Sequence, residues 1–135
     1  MTFILPLVTK QGSKFIRSAT EDCYDHHAKE IGVMIPEKDR NFVFAWNIPS
    51  QFYLETNLYP CIKYCDWQEH YIKIYPDIKE ELQNIFVHEP PLWIVTKSNA
   101  ENAVFFSSIL ENQYMLYFEN EKYILWKIRE ANYGM

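Results

Sequence analysis

The stretch PPLWIVTKSNAENAVFFSSILENQYMLYFENEKYILWKI (residues 90–128) contains the clearest secondary-structure signals of the chain. In its last part, residues 113–128, two alternating apolar runs flank the polar sequence ENEK. This pattern is typical of a β-hairpin. Side chains alternate between the two faces of a strand. In the second strand one face would therefore carry Ile124, Trp126 and Ile128, and the other would carry Tyr123, Leu125, Lys127 and Arg129.

The first part of the same stretch predicts a buried strand followed by a helix. LWIVT (92–96) is almost continuously apolar, as expected of a central strand that is covered on both faces. The sequence Ser98-Asn99-Ala100-Glu101 has the spacing of a capping box, which predicts a helix that runs to about residue 111. Its apolar residues occupy more than one face, so we expect this helix to be well buried; they are Phe105, Phe106, Ile109 and Leu110.

Two further helices are predicted upstream. A capping-box pattern at Ser18–Glu21 predicts a polar surface helix over about 19–30. A second one at Asp77–Glu80 opens a helix that HEPP (88–91) should end. Its apolar residues fall on one face, at the spacing i, i+4, i+7 and i+8; they are Ile78, Leu82, Ile85 and Phe86.

Several β-rich runs favour strands in the first half of the chain. TFILPLVT (2–9) predicts an opening strand, and IGVMI (31–35) and NFVFAWNI (41–48) predict two more. QFYLET (51–56) fits a continuation of the sheet, and the alternating runs within 60–75 favour two strands. We therefore expect one α+β domain over residues 1–135, with a largely antiparallel sheet, about three helices and a C-terminal hairpin.

The charge of the chain argues against a nucleic-acid-binding protein. Eighteen acidic residues outnumber thirteen basic ones, giving a net charge of −5. Nucleic-acid binding depends on Lys and Arg that neutralise phosphates, and here the only small basic group is Lys122, Lys127 and Arg129. An acidic surface instead attracts basic protein partners. The N-terminal sequence MTFILPLVTK resembles neither a signal peptide nor a membrane span.

The stretch EDCYDHHAKE (21–30) contains the residue types that bind metals and transfer protons. On a helix Asp22, His26 and Glu30 would share one face, with His27 on a neighbouring stripe. A small metal-dependent hydrolase or metal-binding protein using these four residues is therefore one hypothesis. Adjacent histidines diverge by about 100° on an ideal helix, however, which suits a shared metal poorly. The alternative is a solvated acidic helix.

The cysteines do not strengthen the metal hypothesis. There are three, Cys23, Cys61 and Cys65, and none has the spacing of a zinc knuckle or redox pair. A zinc site could combine them with His26 or His70, but buried free thiols in a reduced, cytoplasmic protein are the simpler interpretation. No Ser or Cys lies on a recognisable nucleophile turn. We expect no enzymatic activity and no cofactor.

The sequence DWQEH (66–70) has the composition of an interface patch, an aromatic residue within a charged rim. An ordinary turn between strands is the equally simple alternative. The apolar surroundings of Trp46, Trp93 and Trp126 place those rings in the core instead.

The strand–helix–hairpin pattern of residues 90–128, about a third of the chain, resembles the ending of small bacterial immunity proteins. These are the cognate inhibitors encoded beside polymorphic or contact-dependent growth-inhibition toxins. The resemblance implies stoichiometric neutralisation of a toxin domain, often a nuclease with a basic cleft. We also expect that the protein is a monomer and contacts neither nucleic acid nor membrane. Under this hypothesis the partner-binding residues are Glu21, Asp22, Tyr24, Asp25, Glu30, Asp66, Trp67 and Glu69.

Overall fold

A four-stranded mixed sheet forms the centre of the fold. The computed structural model describes residues 25–130. The strands are β1 (Val43–Ala45), β2 (Trp93–Lys97), β3 (Tyr114–Glu119) and β4 (Tyr123–Ile128), in the order β1-β2-β4-β3. β1 pairs with β2 in parallel, and the other two pairings are antiparallel. The α+β class and the C-terminal hairpin are therefore confirmed, whereas the predicted strand over 2–9 and the capping box at 18–21 lie outside the described residues.

The β3–β4 hairpin has the predicted turn and the predicted faces. The Asn120 side-chain oxygen accepts hydrogen bonds from the backbone amides of Lys122 and Tyr123, which fixes the turn. Tyr123 and Leu125 pack into one core cluster, and Trp126 and Ile128 pack into another. The alternation along β4 thus separates its side chains between two cores.

Helices cover both faces of the sheet. The described residues contain five α-helices: α1 (His26–Met34), α2 (Gln51–Thr56), α3 (Gln68–Ile74), α4 (Asp77–His88) and α5 (Val104–Gln113). A 3-10 turn spans Glu37–Asp39. None of the described helices is long and apolar enough to cross a bilayer.

Each core lies between the sheet and one group of helices. On one face, Ile31 of α1 and Phe52 of α2 pack with Val95 of β2. On the other, Phe86 of α4 and Phe106 of α5 pack against the sheet. The central β2 is therefore covered on both sides, as its nearly continuous apolar sequence predicts.

Three predicted strand regions are helical in the structure. Residues 31–34 belong to α1, residues 51–56 form α2, and residues 68–74 form α3, so the expected number of about three helices is too low. Of the strand predicted over 41–48, only Val43–Ala45 pairs with the sheet. In short segments β-rich composition and a helical face cannot be separated by periodicity alone, and tertiary contacts decide.

The predicted helix starts at Ser98 and Asp77 are also not formed as capping boxes. α5 begins at Val104, after Ala103, whose backbone amide donates instead to the Glu69 carboxylate at 3.0 Å. A distant carboxylate thus lies at the positive end of this helix. α4 begins at Asp77 itself, directly after Pro76.

Candidate functional site

Asp25, one of the predicted partner-binding residues, joins helix α1 to the hairpin. Its Oδ1 accepts from the backbone amides of His27 and Ala28 and so caps the helix. Its Oδ2 accepts from Lys122 Nζ and from the Tyr123 hydroxyl, each at 2.7 Å. Because these four contacts are internal, the carboxylate chiefly stabilises the fold. Glu21, Asp22 and Tyr24, predicted beside it, lie outside the described residues.

The environment of Asp25 keeps its carboxylate ionised. Burial opposes ionisation, but the hydrogen bonds from Lys122, Tyr123 and the Ala28 amide outweigh it, so the pKa of Asp25 is lowered. Burial, reinforced by the bond to Asp25, raises the pKa of Tyr123. Tyr123 therefore remains a hydrogen-bond donor to a fixed negative charge at physiological pH.

Glu30 and His27 lie on the same side of the molecule and are also tied to the hairpin. The side-chain amide of Asn120 donates to Glu30 Oε1 at 2.9 Å and to the His27 carbonyl at 3.0 Å. The His27 ring lies 3.4 Å from the Glu121 carboxylate. Both Glu30 and Glu121 are exposed, so they remain accessible to a partner.

A cleft of about 570 Å³ opens between α1, α2 and the hairpin. We call it the α1 cleft. Its lining includes His26 and His27. The charged lining residues are two carboxylates and two lysines: Asp25, Glu55, Lys97 and Lys122. Burial and the nearby Asp25 raise the pKa of Glu55. The mixed charges suit polar contacts with a protein surface.

The second predicted group, residues 66–69, begins a segment that carries three exposed aromatic side chains. Trp67 precedes α3, Tyr71 lies within it and Tyr75 follows it, and these side chains are 46%, 41% and 61% exposed. The backbone amides of Tyr71 and Tyr75 donate to the carbonyls of Trp67 and Tyr71, so the three residues follow one another at the i, i+4 spacing. We call these three residues the aromatic ridge.

Gln68 holds the aromatic ridge against the sheet. This side chain is fully buried. Its oxygen accepts from the Asn47 backbone amide at 2.6 Å, and its nitrogen donates to the carbonyls of Ala45 and Tyr64 at 3.0 and 2.8 Å. Trp67 itself adopts a left-handed backbone, with φ of 47°. The hydrogen bonds of Gln68 thus hold the neighbouring strained residue, Trp67, with its ring exposed to solvent.

The acidic residues beside Trp67 differ in accessibility. Glu69 faces inwards, where its Oε2 accepts from Trp46 Nε1 at 3.3 Å and from the Ala103 amide. Asp66 is only half-buried and borders a surface cavity. Of the two, Asp66 is therefore the acid available to a partner, and Glu69 is a structural residue.

Lys97 connects the α1 cleft with the aromatic ridge. It lines the cleft, and its Nζ lies 5.5 Å from the centroid of the Trp67 ring. The two groups of residues that the sequence suggested separately are therefore parts of one continuous surface, which we call the α1–α3 surface.

The metal hypothesis gains no geometric basis within the described part of the chain. Among residues 25–130, no group of three or more His, Cys, Asp or Glu side chains is arranged to hold a metal ion. Asp22, one of the four proposed ligands, lies outside this range. Cys61 and Cys65 are free thiols in the segment before α3, and Cys61 Sγ donates to the Val43 carbonyl.

Sequence reasoning missed Tyr71, Tyr75, Lys97 and Glu55 as surface residues. The spacing of Trp67, Tyr71 and Tyr75 was the available signal, but it is visible only if residues 67–75 are read as a helix. Lys97 and Glu55 join the site through tertiary contacts alone.

Comparisons with protein families, with curated proteins and with solved structures find no match to this chain.

Proposed function

We propose that this protein is a binding protein that neutralises a partner protein through its α1–α3 surface. The observation that carries the proposal is the aromatic ridge. Trp and Tyr are the residues that most often dominate binding energy at protein interfaces. Here three such rings are exposed in a row, next to a buried side chain that fixes their helix.

The cost in backbone energy supports a role in binding for Trp67. A left-handed conformation costs a residue with a Cβ about 1–2 kcal/mol, and glycine would avoid that cost. Trp67 keeps nearly half of its side chain in solvent. Burial within the fold therefore recovers only part of the free energy that a fully buried tryptophan side chain contributes. Burial of the exposed part against a partner would recover the rest.

We propose further that the partner is a bacterial toxin domain and that the protein is its immunity protein, acting in the cytoplasm as a monomer. The resemblance of residues 90–128 and the net charge of −5 support this assignment. A nuclease domain presents a basic cleft, which acidic groups such as Glu30, Asp66 and Glu121 would attract. Inhibition would then require only that this protein occupies the cleft of the toxin, without catalysing a reaction.

Co-expression with the product of the adjacent upstream gene tests this function. We expect that product to stop growth on its own and the chain to restore growth. Trp67→Ala and Tyr71→Ala should reduce the rescue, because each removes an anchor ring. The matched control is Val87→Ala, which shortens an exposed apolar side chain on α4. An upstream product without toxicity, or equal rescue by all three variants, would contradict the proposal.

A further inference from the structure

A cavity of about 330 Å³ adjoins the aromatic ridge. It lies between residues 63–66, helix α3 and the beginning of α4. Three tyrosine rings and one carboxylate line it: Tyr64, Tyr71, Tyr75 and Asp66. Aromatic faces carry negative electrostatic potential, so rings beside a carboxylate form a site suited to a cation.

One rim of this cavity already holds a cation. Lys63 Nζ lies 5.2 Å from the centroid of the Tyr64 ring and 3.2 Å from Glu81 Oε2. The Tyr64 hydroxyl donates to the other oxygen of Glu81 at 2.7 Å, which fixes both groups. These hydrogen bonds from Tyr64 and Lys63 lower the pKa of Glu81, so its carboxylate is ionised at neutral pH.

We propose that this cavity receives an arginine side chain of the partner protein. The inference rests on the proposed function, because it specifies what that partner inserts beside the aromatic ridge. A guanidinium group is planar, stacks on tyrosine rings and pairs with a carboxylate through two parallel hydrogen bonds. Asp66 offers the carboxylate, and Tyr71 and Tyr75 offer the rings.

Other ligands fit the cavity less well. An anion would face Asp66, and Lys63, the only cation among the lining residues, is already paired with the ionised Glu81 beside the cavity. An apolar group would bury the Asp66 carboxylate without a partner, which costs free energy. For a basic side chain the summed charge of Lys63, Asp66 and the adjoining Glu81 is negative and therefore attractive.

Competition with Lys63 gives the proposal a specific test. The probe is Nα-acetyl-arginine methylamide, titrated into the full-length chain while the NMR signals of the tyrosine rings are recorded. The uncharged citrulline analogue is the ligand control. Lys63→Ala should tighten arginine binding about threefold, because it vacates the Tyr64 ring and Glu81. Lys73→Ala removes an equal charge from an exposed position on α3 and serves as the matched control.

Asp66→Asn gives a second, independent comparison and should weaken arginine binding about threefold. The proposal is overturned if the arginine analogue leaves the signals of Tyr64, Tyr71 and Tyr75 unchanged, if citrulline binds equally well, or if Lys63→Ala behaves like Lys73→Ala. Tighter binding of the corresponding lysine analogue would overturn the guanidinium assignment. If the arginine analogue does not bind but growth rescue is intact, only the arginine site is rejected. If the analogue binds but the chain does not rescue growth, only the proposed function is rejected.

Discussion

Trp67 combines a strained backbone with an exposed ring, and its substitution separates stability from binding. Both Trp67→Ala and Trp67→Gly remove the ring and its contact with Lys97. Glycine adopts a φ of 47° without steric cost, whereas alanine does not. We therefore expect Trp67→Gly to be more stable than Trp67→Ala by about 1 kcal/mol, measured by urea denaturation. Equal stability of the two variants would mean that the left-handed conformation is not retained.

Asp25 predicts a pH dependence of stability with a defined sign. Its folded-state pKa is lowered, so its charge stabilises the fold above the unfolded pKa of about 3.9 and stops doing so as pH falls through the folded value. Asp25→Asn keeps the capping oxygen but removes the charge. We expect this variant to be less stable than the wild type by about 1 kcal/mol at pH 7.

Repeating the comparison at pH 3 tests the direction in which the contribution of Asp25 changes with pH. There the difference between Asp25→Asn and wild type in the free energy of unfolding should become smaller. Glu121→Gln is the control, because the Glu121 side chain is 90% exposed and its ionic contact within residues 25–130 is with His27. It should change stability little at either pH. A difference for Asp25→Asn that stays constant with pH would contradict the assigned role.

At the scale of elements, helix α3 depends on Gln68. Gln68→Leu retains the approximate volume but leaves the Asn47 amide and two carbonyls without their side-chain partner. We expect a loss of about 2–4 kcal/mol in the free energy of unfolding and faster hydrogen exchange of the α3 amides. Gln83→Leu changes an exposed glutamine of α4 and should be nearly neutral. Equal stability of both variants would show that Gln68 does not fix α3.

The contrast between α3 and the hairpin shows what the sequence can predict. In 113–128 two long alternating runs and a polar turn agree with each other, and the local pattern suffices. In 60–75 the apolar residues alternate as they would in strands, whereas the observed conformation depends on Gln68 contacting β1 over twenty residues away. Such a contact leaves no periodic trace in the sequence.

The candidate site was predictable to a similar, partial extent. Composition identified Trp67 and Asp66 as surface candidates, and the structure places Trp67 in solvent and Asp66 at a cavity. Asp25 and Glu69 carry the same charge as Asp66, but their carboxylates accept hydrogen bonds from within the fold. Residue type alone cannot separate these two situations, because the partners of a carboxylate are set by the tertiary fold.

At the scale of the whole molecule, the sheet separates two cores and Lys97 joins two surface features. The α1 cleft and the aromatic ridge meet at this side chain, so a partner that covers both would bury Lys97 between them. The exposed acids around this surface would accelerate association with a basic partner, and added salt would slow it. The rings would determine mainly how slowly the complex dissociates.

Whether Trp67 anchors a neutralised partner is measured by isothermal titration of the purified product of the adjacent upstream gene with the wild-type chain and with Trp67→Ala. We expect a one-to-one complex whose affinity falls about thirtyfold in the variant, as for a residue that contributes 2 kcal/mol or more to an interface. Val87→Ala should bind like the wild type. Equal affinities of Trp67→Ala and the wild type, or the absence of a complex, would contradict the account.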